Sequence, residues 1–425
     1  MTAAADPLRQ RRIGAWDKGF GPEHAGLDMA AITGRSITDG SFLLSLMLLR
    51  ESALAGNVEA MAAYCADRGV LLCPHAKTTM APAIWRRQLA AGAWGLTAAT
   101  ISQARAYREF GVTRILLANQ LVDPAGIGWL VTELTADPTF GFSCYVDSLD
   151  GVALLDGALR RRPSLPKPLP VLVELGLPGG RTGCRTDDEA EQVAGAVGRT
   201  ATLRLTGIAG YEGTLGLAGS RAVEDGVRAF CRRLREVTIG LHRRGLLPAD
   251  PIVTAGGSGW FDVVTGTLAD AWPDGIDARV VLRSGSYVAH DDGMYAAVTP
   301  VARDGSAGPA FVAAIEVWAH VLSRPEADLL VVGAGRRDVA FDDTLPIPLT
   351  IRAPGSAAPR PADRLRSRRI NDQHLMLSVD RADPVAVGDV VTFGVSHPCT
   401  AFDKWRRIPV VDDDYRVLDV VDTYF

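Results

Sequence analysis

The chain has 425 residues, of which 47% are hydrophobic and 22% charged, and its formal net charge is −4 at pH 7. This composition is typical of globular proteins, and the small negative charge gives no general attraction to nucleic acid or to an anionic membrane. Residues 1–12 contain no apolar core of a secretory signal, and the longest apolar run, Phe42–Leu49, is too short to span a bilayer. Six cysteines without a CxxC pair indicate reduced thiols, so we expect a cytoplasmic protein.

Apolar, β-branched runs alternate with helix-like segments up to about residue 300. The predicted strands are Gly69–Cys73, Trp94–Thr97, Arg114–Ala118, Phe142–Val146, Pro170–Leu175, Leu203–Ala209, Ile252–Ala255 and Arg279–Arg283. Between them, helical periodicity is clear in Pro82–Ala91, Ser102–Phe110 and Val223–Arg243. Eight alternations of this kind fit a parallel (β/α)₈ TIM barrel better than an open sheet. A further helix is predicted over Ser41–Arg68, before the first strand.

The pattern changes after about residue 300, where short strands follow one another without long helices. These strands are Phe311–Leu322, Leu329–Val332, Ile347–Ile351, Leu375–Val379 and Val390–Phe393. Together they predict a mainly antiparallel β domain, with a flexible loop over Ala353–Ala362. We therefore expect an N-terminal segment over 1–40 that packs on the β domain, a barrel over 41–300 and the β domain over 301–425.

Lys77 follows the first predicted barrel strand, and side chains at that edge of a barrel face the active site. A lysine that is shielded from water loses its proton more easily and can attack a carbonyl group. Most lysines are solvated, so it is the position of Lys77 that makes it a candidate catalytic residue. His75, two residues earlier, is a second candidate as a base, although it could simply cap the strand.

Glycine-rich and polar segments follow the seventh and eighth predicted strands. Gly256, Gly257 and Ser258 come after strand seven, while Ser284 and Tyr287 come after strand eight. Glycine lets backbone N–H groups approach a phosphate closely, and these two loops are where barrels usually bind one. A plain tight turn would look the same, but the position favours phosphate binding.

Two further residues are candidates for cofactor contacts. Arg181 follows strand five in a glycine-rich turn, and Tyr211 follows strand six. Arg181 could instead be a surface residue, and Tyr211 could pack in the core. A lysine opposite a phosphate site indicates pyridoxal 5′-phosphate, which enzymes hold through both.

His397 and Cys399 form a possible metal site near the end of the chain. On an extended segment, residues two apart project to the same side, and imidazole with thiolate suits zinc. Two protein ligands would leave positions for water or substrate. By itself this short pattern is more often a buried histidine beside a structural cysteine. Gln373 and His374 could line the site from the β domain.

Several segments together resemble a known family. They are Asp17–Phe20, Pro74–Thr78, Arg181–Gly183, Asp372–His374 and Ser396–Trp405. These segments resemble the D-serine dehydratase / D-threonine aldolase family, whose members are fold-type III pyridoxal phosphate enzymes with an alanine-racemase-like barrel. The first segment is similar to the amino-acid deaminase branch of that family.

The resemblance implies that Lys77 carries the pyridoxal phosphate and that His397 and Cys399 bind a divalent metal near the substrate's β-hydroxyl. The metal is usually zinc, which Cys399 also favours over Mn²⁺ or Mg²⁺. The resemblance further implies a homodimer in which the second domain of one subunit approaches the barrel mouth of the other. Cys73 and Thr79 stand where members often have arginine and histidine, which leaves the substrate preference open.

We accordingly expect a lyase that converts a D-3-hydroxy amino acid, such as D-serine or D-threonine, to a 2-oxo acid and ammonia. The nearest alternative is a D-threonine aldolase, which would use the same lysine and metal to break the Cα–Cβ bond. An amino-acid racemase and a non-catalytic pyridoxal phosphate-binding protein are weaker alternatives. The partner we expect is the small-molecule substrate, with no nucleic acid and no membrane.

Overall fold

The computed structural model describes residues 12–163, 165–217, 219–305, 308–356 and 358–425. Its strands are β1 (Leu46–Arg50), β2 (Leu71–Leu72), β3 (Leu96–Ala98), β4 (Arg114–Gln120), β5 (Gly141–Val146), β6 (Leu169–Leu175), β7 (Leu203–Gly210), β8 (Ile252–Ala255), β9 (Arg279–Leu282), β10 (Ile315–Glu326), β11 (Leu329–Val332), β12 (Ile347–Arg352), β13 (Arg360–Pro361), β14 (Arg366–Ile370), β15 (Leu375–Ser378), β16 (Val390–Gly394), β17 (Arg407–Val411) and β18 (Val417–Asp422). Its helices are α1 (Glu51–Asp67), α2 (Pro82–Ala90), α3 (Ile101–Glu109), α4 (Pro124–Ala136), α5 (Leu149–Arg160), α6 (Asp187–Gly198), α7 (Arg221–Arg243), α8 (Phe261–Leu268), α9 (Pro300–Asp304) and α10 (Cys399–Phe402). Within these ranges, no helix combines the length and apolar character needed to cross a membrane.

Strands β2 to β9 form one parallel sheet in the order β2-β9-β8-β7-β6-β5-β4-β3. Its two end strands meet, because His75 pairs with Thr97 in a parallel bridge and the Trp94 N–H donates to the Leu72 carbonyl at 2.7 Å. The sheet is therefore closed, and the predicted (β/α)₈ barrel is confirmed. Strands buried on both faces need near-continuous apolar runs, which is why the sequence showed them clearly.

The inside of the barrel is filled by side chains and is not a channel. Its core consists of Cys73, Leu116, Tyr145, Leu172, Ala209, Ile252 and Val281. This cluster is separate from the larger core between the strands and the outer helices. The two ends of the barrel are consequently isolated from each other by packed apolar groups.

The second sheet is mainly antiparallel and runs in the order β13-β12-β16-β10-β1-β17-β18, with β11, β15 and β14 branching from β10. The long strand β10 joins its two parts by pairing with β1, β11 and β16. The predicted C-terminal β domain is thus confirmed. The segment predicted as a loop over Ala353–Ala362 also contains the short strand β13.

The prediction of a helix over Ser41–Arg68 is wrong at its beginning. Residues Leu46–Arg50 form β1, and the helix occupies Glu51–Asp67. Strand β1 lies between β10 and β17 and is buried on both faces. Its residues are therefore continuously apolar and do not alternate, so their pattern cannot distinguish a strand from a buried helix. Because β1 belongs to the second sheet, the predicted domain boundary at residue 41 does not match the sheets.

Residues 12–45 lie against the β domain. The Gly34 N–H donates to the Val417 carbonyl at 2.7 Å, and the Lys18 ammonium lies 2.6 Å from the Asp338 carboxylate and 3.7 Å above the Trp405 ring. Residues 1–11 of the predicted N-terminal segment lie outside the described residues.

Candidate active site

A cavity of about 390 Å³ lies at the carboxyl ends of the barrel strands. It is lined by many of the residues that the sequence singled out, namely His75, Lys77, Arg181, Tyr211, Gly257, Ser258, His397 and Cys399. The first six come from barrel loops, whereas the last two come from the β domain. The fold therefore joins the candidate cofactor residues and the candidate metal ligands in one space.

Lys77 lies in a short 3₁₀ turn, Ala76–Thr78, directly after β2. The Trp85 indole N–H donates to the Ala76 carbonyl at 3.2 Å and fixes this turn from behind. Burial, followed by the charges of Arg283 and Lys77, holds the pKa of His75 well below its usual range. His75 is therefore a neutral imidazole at physiological pH, and it can accept a proton or a hydrogen bond.

His397 and Cys399 are held from both sides. His397 Nδ1 lies 2.6 Å from the Asp342 carboxylate, which also accepts a hydrogen bond from the Thr400 hydroxyl. The Cys399 sulfur lies 3.3 Å from the Thr78 hydroxyl. Thr78 directly follows Lys77 in the chain, so this contact fixes the position of Cys399 relative to that of Lys77.

The two candidate ligands also perturb each other's ionisation. The hydrogen bond with Cys399 raises the pKa of His397 to about 9, against the effect of burial and with help from Asp342. Burial raises the pKa of the Cys399 thiol, but the hydrogen bond from His397 and the charge of Lys77 outweigh it and bring the pKa down to about 7. Cys399 is thus readily available as a thiolate, the form that binds metals.

This pair fits a catalytic metal with open coordination positions. Asp342 accepts from Nδ1 of His397, so Nε2 is the ring nitrogen that would bind a metal beside Cys399, and such a carboxylate behind a histidine is usual around zinc. Among the residues that the structure describes, no group of three or more His, Cys, Asp or Glu could hold a metal. Two ligands from the chain would leave the remaining positions to water or substrate.

The glycine loop after β8 is built differently from the expectation. The N–H groups of Gly256 and Gly257 donate to the buried carboxylate of Glu212, at 3.0 and 2.6 Å. The Ser284 hydroxyl donates to the Gly257 carbonyl at 2.9 Å. These groups shape the loop and are not free to bind a phosphate. Ser258 faces the cavity from this loop.

Tyr287 lies outside the cavity, contrary to its predicted cofactor contact. Its hydroxyl accepts a hydrogen bond from Gln88 at 3.0 Å, and its ring packs 5.8 Å from that of Phe311 in the core. Tyr287 belongs to the 3₁₀ turn Ser286–Val288, in which successive side chains point in different directions. Its neighbour Ser286 is the one that lines the cavity.

Gln373 and His374 do not line the cavity formed by this single chain. Both are exposed on the β domain, just before β15. The Gln373 amide lies 3.3 Å from the Asp338 carboxylate. Their predicted contact with substrate would need the active site of another subunit.

Two charged residues inside the cavity were not singled out from the sequence. Arg283 is only 3% exposed and donates to the Tyr145 hydroxyl and to the Gly210 carbonyl. Burial raises the pKa of Glu174, which accepts a hydrogen bond from the Gln120 amide at 2.7 Å. Charges within apolar strands were a usable signal, since a buried charge needs a partner or a function.

The cavity fits a flat, polar cofactor of the size of pyridoxal phosphate. Its volume lies within the usual range for small-molecule sites. The Arg181 guanidinium stands 4.8 Å from the centre of the Tyr211 ring and provides positive charge near Lys77. Two buried nitrogens, Nδ1 of His75 and Nε of Arg283, have no hydrogen-bond partner within the described part of the chain. A polar ligand would satisfy them.

Comparison with known proteins agrees with this architecture. Residues 49–263 match the family described as "Alanine racemase, N-terminal domain", and residues 314–411 match "Putative serine dehydratase domain". The chain belongs to the alanine racemase N-terminal domain family. The second match confirms the resemblance to the D-serine dehydratase / D-threonine aldolase group within this family.

One relative in this group is D-threonine aldolase from Arthrobacter sp, 26% identical over 369 residues, which are 86% of this chain and 88% of the relative. The structure of D-threonine aldolase from Filomicrobium marinum is also 26% identical, with a TM-score of 0.73 over 90% of this chain and 95% of that one. D-threo-3-hydroxyaspartate dehydratase from Delftia sp. HT23 shares the fold, at 20% identity and a TM-score of 0.70 over 90% of this chain and 97% of that one. Two further structures with the name D-threo-3-hydroxyaspartate dehydratase are of mutants. One mutant replaces a histidine. The other replaces the cysteine two positions after that histidine and is in the metal-free form.

Proposed function

We propose that the protein is a pyridoxal phosphate- and metal-dependent dehydratase of D-3-hydroxy amino acids such as D-serine and D-threonine. The products would be a 2-oxo acid and ammonia. The observation that carries the proposal is that Lys77, His397 and Cys399 line one cavity. The Thr78 hydroxyl, at 3.3 Å from the Cys399 sulfur, ties the two groups together.

The cofactor assignment rests on Lys77 and the groups around it. Enzymes of this family depend on pyridoxal phosphate, which withdraws electrons from the α-carbon of a bound amino acid. Lys77 would hold it covalently, with Ser258 at the phosphate end and Arg181 and Tyr211 beside it. The unpartnered nitrogen of Arg283 would face the same ligand.

Lys77 would also be the base within the cavity that removes the α-proton of a bound substrate. His75 is the second candidate, because its lowered pKa keeps the imidazole neutral and able to accept a proton. Such a group is most effective when its proton affinity suits the operating pH. The α-proton and the β-hydroxyl are then lost together as water, and hydrolysis of the product releases ammonia.

His397 and Cys399 would hold the divalent metal, and zinc suits one nitrogen and one thiolate ligand. A bound cation of this kind polarises a hydroxyl oxygen as a Lewis acid. Asp342 orients the His397 ring, and the hydroxyls of Thr78 and Ser286 can donate to the Cys399 thiolate, at 3.3 and 3.4 Å. The chain itself therefore keeps both ligands in position.

Aldolase cleavage is the second candidate, because two relatives that match over 86% and 77% of the chain are described as aldolases. Both reactions would use Lys77 and the same metal. The dehydratase is favoured by the spacing of His397 and Cys399, which equals that of the histidine and cysteine replaced in the dehydratase structures. This support concerns the ligand pair and not the whole active site.

We further propose a homodimer in which Gln373 and His374 of one subunit approach the cavity of the other. Their exposed position in the single chain is compatible with such a contact. A monomer in sedimentation equilibrium at assay concentration would exclude it.

Product identification tests the reaction. The purified protein, loaded with zinc and pyridoxal phosphate, is incubated with D-threonine, and with L-threonine as the control. The proposal expects 2-oxobutyrate and ammonia from the D-isomer only. Glycine with acetaldehyde would establish the aldolase, and the absence of both product pairs would overturn the assignment as a lyase of D-threonine.

A further inference from the structure

A second cavity, of about 330 Å³, lies at the opposite end of the barrel. Its lining includes residues at the beginnings of strands β4 to β9, such as Arg114, Arg204 and Arg279. The packed interior cluster, which includes Leu116 and Tyr145, lies between this space and the catalytic cavity. The second cavity is therefore a separate site and has no role in the proposed reaction.

The walls of this cavity are apolar and partly aromatic. Trp94, Phe140 and Phe142 contribute rings. Proline rings at 138, 166, 168, 170 and 248 also line it and give the wall little conformational freedom. The volume falls within the range of small-molecule sites. A rigid, concave and apolar surface of this kind suits the apolar body of a ligand.

Positive charge is concentrated in the same lining. It contains four cationic side chains, Arg114, Lys167, Arg204 and Arg279, and one carboxylate, Asp250. Asp250 lies 3.5 Å from the Arg279 guanidinium. Over the described ranges, the side chains of Lys167 and Arg204 form neither a hydrogen bond nor an ion pair. Although the chain has a net charge of −4, this local excess of positive charge would attract an anion.

Arg114 shows how charge and apolar wall are combined. Its guanidinium lies 4.6 Å from the centre of the Trp94 ring, and it donates to the Trp94 carbonyl at 2.9 Å. Arg114 is thereby held above an aromatic ring, and only one of its N–H groups is used by the Trp94 carbonyl. An aromatic ligand that carries an anionic group can contact a ring and a guanidinium at once.

We propose that the cavity at the beginnings of the barrel strands binds a small aromatic carboxylate. The apolar wall takes the ring, and the cations at Arg204 and Lys167 take the carboxylate. The cations repel one another when the site is empty, and a bound anion relieves that repulsion. The inference does not depend on the proposed reaction, since it uses no residue of the catalytic cavity.

The test measures binding of 2-naphthoate to the holoenzyme by isothermal titration calorimetry. The proposal expects saturable binding to one site per chain, and much weaker binding of the neutral analogue 2-naphthylmethanol. Arg204→Glu should weaken binding of 2-naphthoate about tenfold or more, because it replaces a favourable charge with a repulsive one. Lys167→Glu should act in the same direction.

Arg199→Glu is the matched control, because Arg199 is also exposed but lies outside the cavity lining. Its affinity for 2-naphthoate should equal that of the unchanged protein. Equal weakening by Arg199→Glu and Arg204→Glu, or no saturable binding, would overturn the proposal. Circular dichroism checks folding, and Arg204→Gln replaces Arg204→Glu if the latter fails to fold, with a smaller expected loss.

Discussion

The two ends of the barrel treat polar groups in opposite ways. At the catalytic end, carboxylates fix the functional groups: the buried Glu212 accepts from the glycine loop, and the more exposed Asp342 holds His397. At the other end, Arg204 and Lys167 are exposed and have no carboxylate partner among the described residues. The first arrangement is organised before any ligand arrives, and the second is completed only by a ligand.

This difference explains how one set of strands serves two sites. Strand β7 begins beside Arg204 at the second cavity and ends beside Tyr211 at the catalytic one. Catalysis needs donors and charges held in fixed positions, since their reorganisation would add to the barrier. Such order places ionisable groups in poorly solvated positions, as at Asp291 and Asp292, where burial raises the pKa to about 6 and about 7.

The strongest way to break the catalytic end is Lys77→Ala. We expect activity to fall roughly a thousandfold or more, together with loss of the visible absorbance of bound pyridoxal phosphate. The matched control at the opposite end, Lys167→Ala, should keep both. Absorption spectroscopy and a product assay measure the two effects. An unchanged spectrum of Lys77→Ala would reject the role given to this lysine.

Cys399→Ala should remove the metal and leave the cofactor. We expect activity to fall by about two to three orders of magnitude, since the polarising cation is lost. Plasma mass spectrometry measures the metal content, and absorbance measures the cofactor. Cys65→Ala, in helix α1 away from the cavity, should behave as the unchanged protein. Full activity of metal-free protein would contradict the metal assignment.

Asp342→Asn tests whether the carboxylate behind His397 matters by itself. We expect metal affinity to fall by about 10- to 100-fold, because the ring loses its fixed orientation and part of its basicity. Competition with a chelating dye measures the affinity. Asp343→Asn is the neighbouring control and should bind metal normally. Equal affinities of the two variants would show that Asp342 is not a positioning residue.

Asp292→Asn should stabilise the protein clearly at pH 8 and by much less at pH 5. Burial, followed by the charges of Asp291 and Glu316, raises the pKa of Asp292 to about 7, and its Oδ2 atom has no partner within the described residues. The folded state therefore keeps a proton that the unfolded state has lost, so stability falls as pH rises from about 4 to 7.

The expected gain in the free energy of unfolding at pH 8 is of the order of 1–3 kcal/mol. Thermal unfolding at both pH values measures it, with Asp274→Asn as an exposed control. A gain of the same size at pH 5 would rule out ionisation of Asp292 as the cause.

The barrel was the part best predicted from the sequence, since its apolar strand runs alternate regularly with segments of helical periodicity. The prediction for β1 was wrong, because a buried run of four apolar residues directly before a helix looks like the first turn of that helix. Lys77, His397 and Cys399 could be singled out by position and by family resemblance. Their shared cavity depends on contacts between distant segments, which the sequence does not show.

The same limit explains the other differences at the site. Asp342 and His397 are far apart in sequence, and no local pattern joins them. Tyr287 was assigned to the cavity because it follows strand eight, yet a 3₁₀ turn directs it to the core and Ser286 to the cavity. Gly256 and Gly257 suggested free N–H groups, but the nearby carboxylate of Glu212 occupies them.

The position of β1 has a consequence for synthesis of the chain. This strand emerges from the ribosome early, while its neighbours β10 and β17 begin only at Ile315 and Arg407. At typical rates of translation, it waits on the order of ten seconds to a minute for its first partner. During that time an apolar strand has unpaired edges that other chains could capture. Nascent chains of this protein should therefore depend on chaperones until the C-terminal sheet closes around its oldest strand.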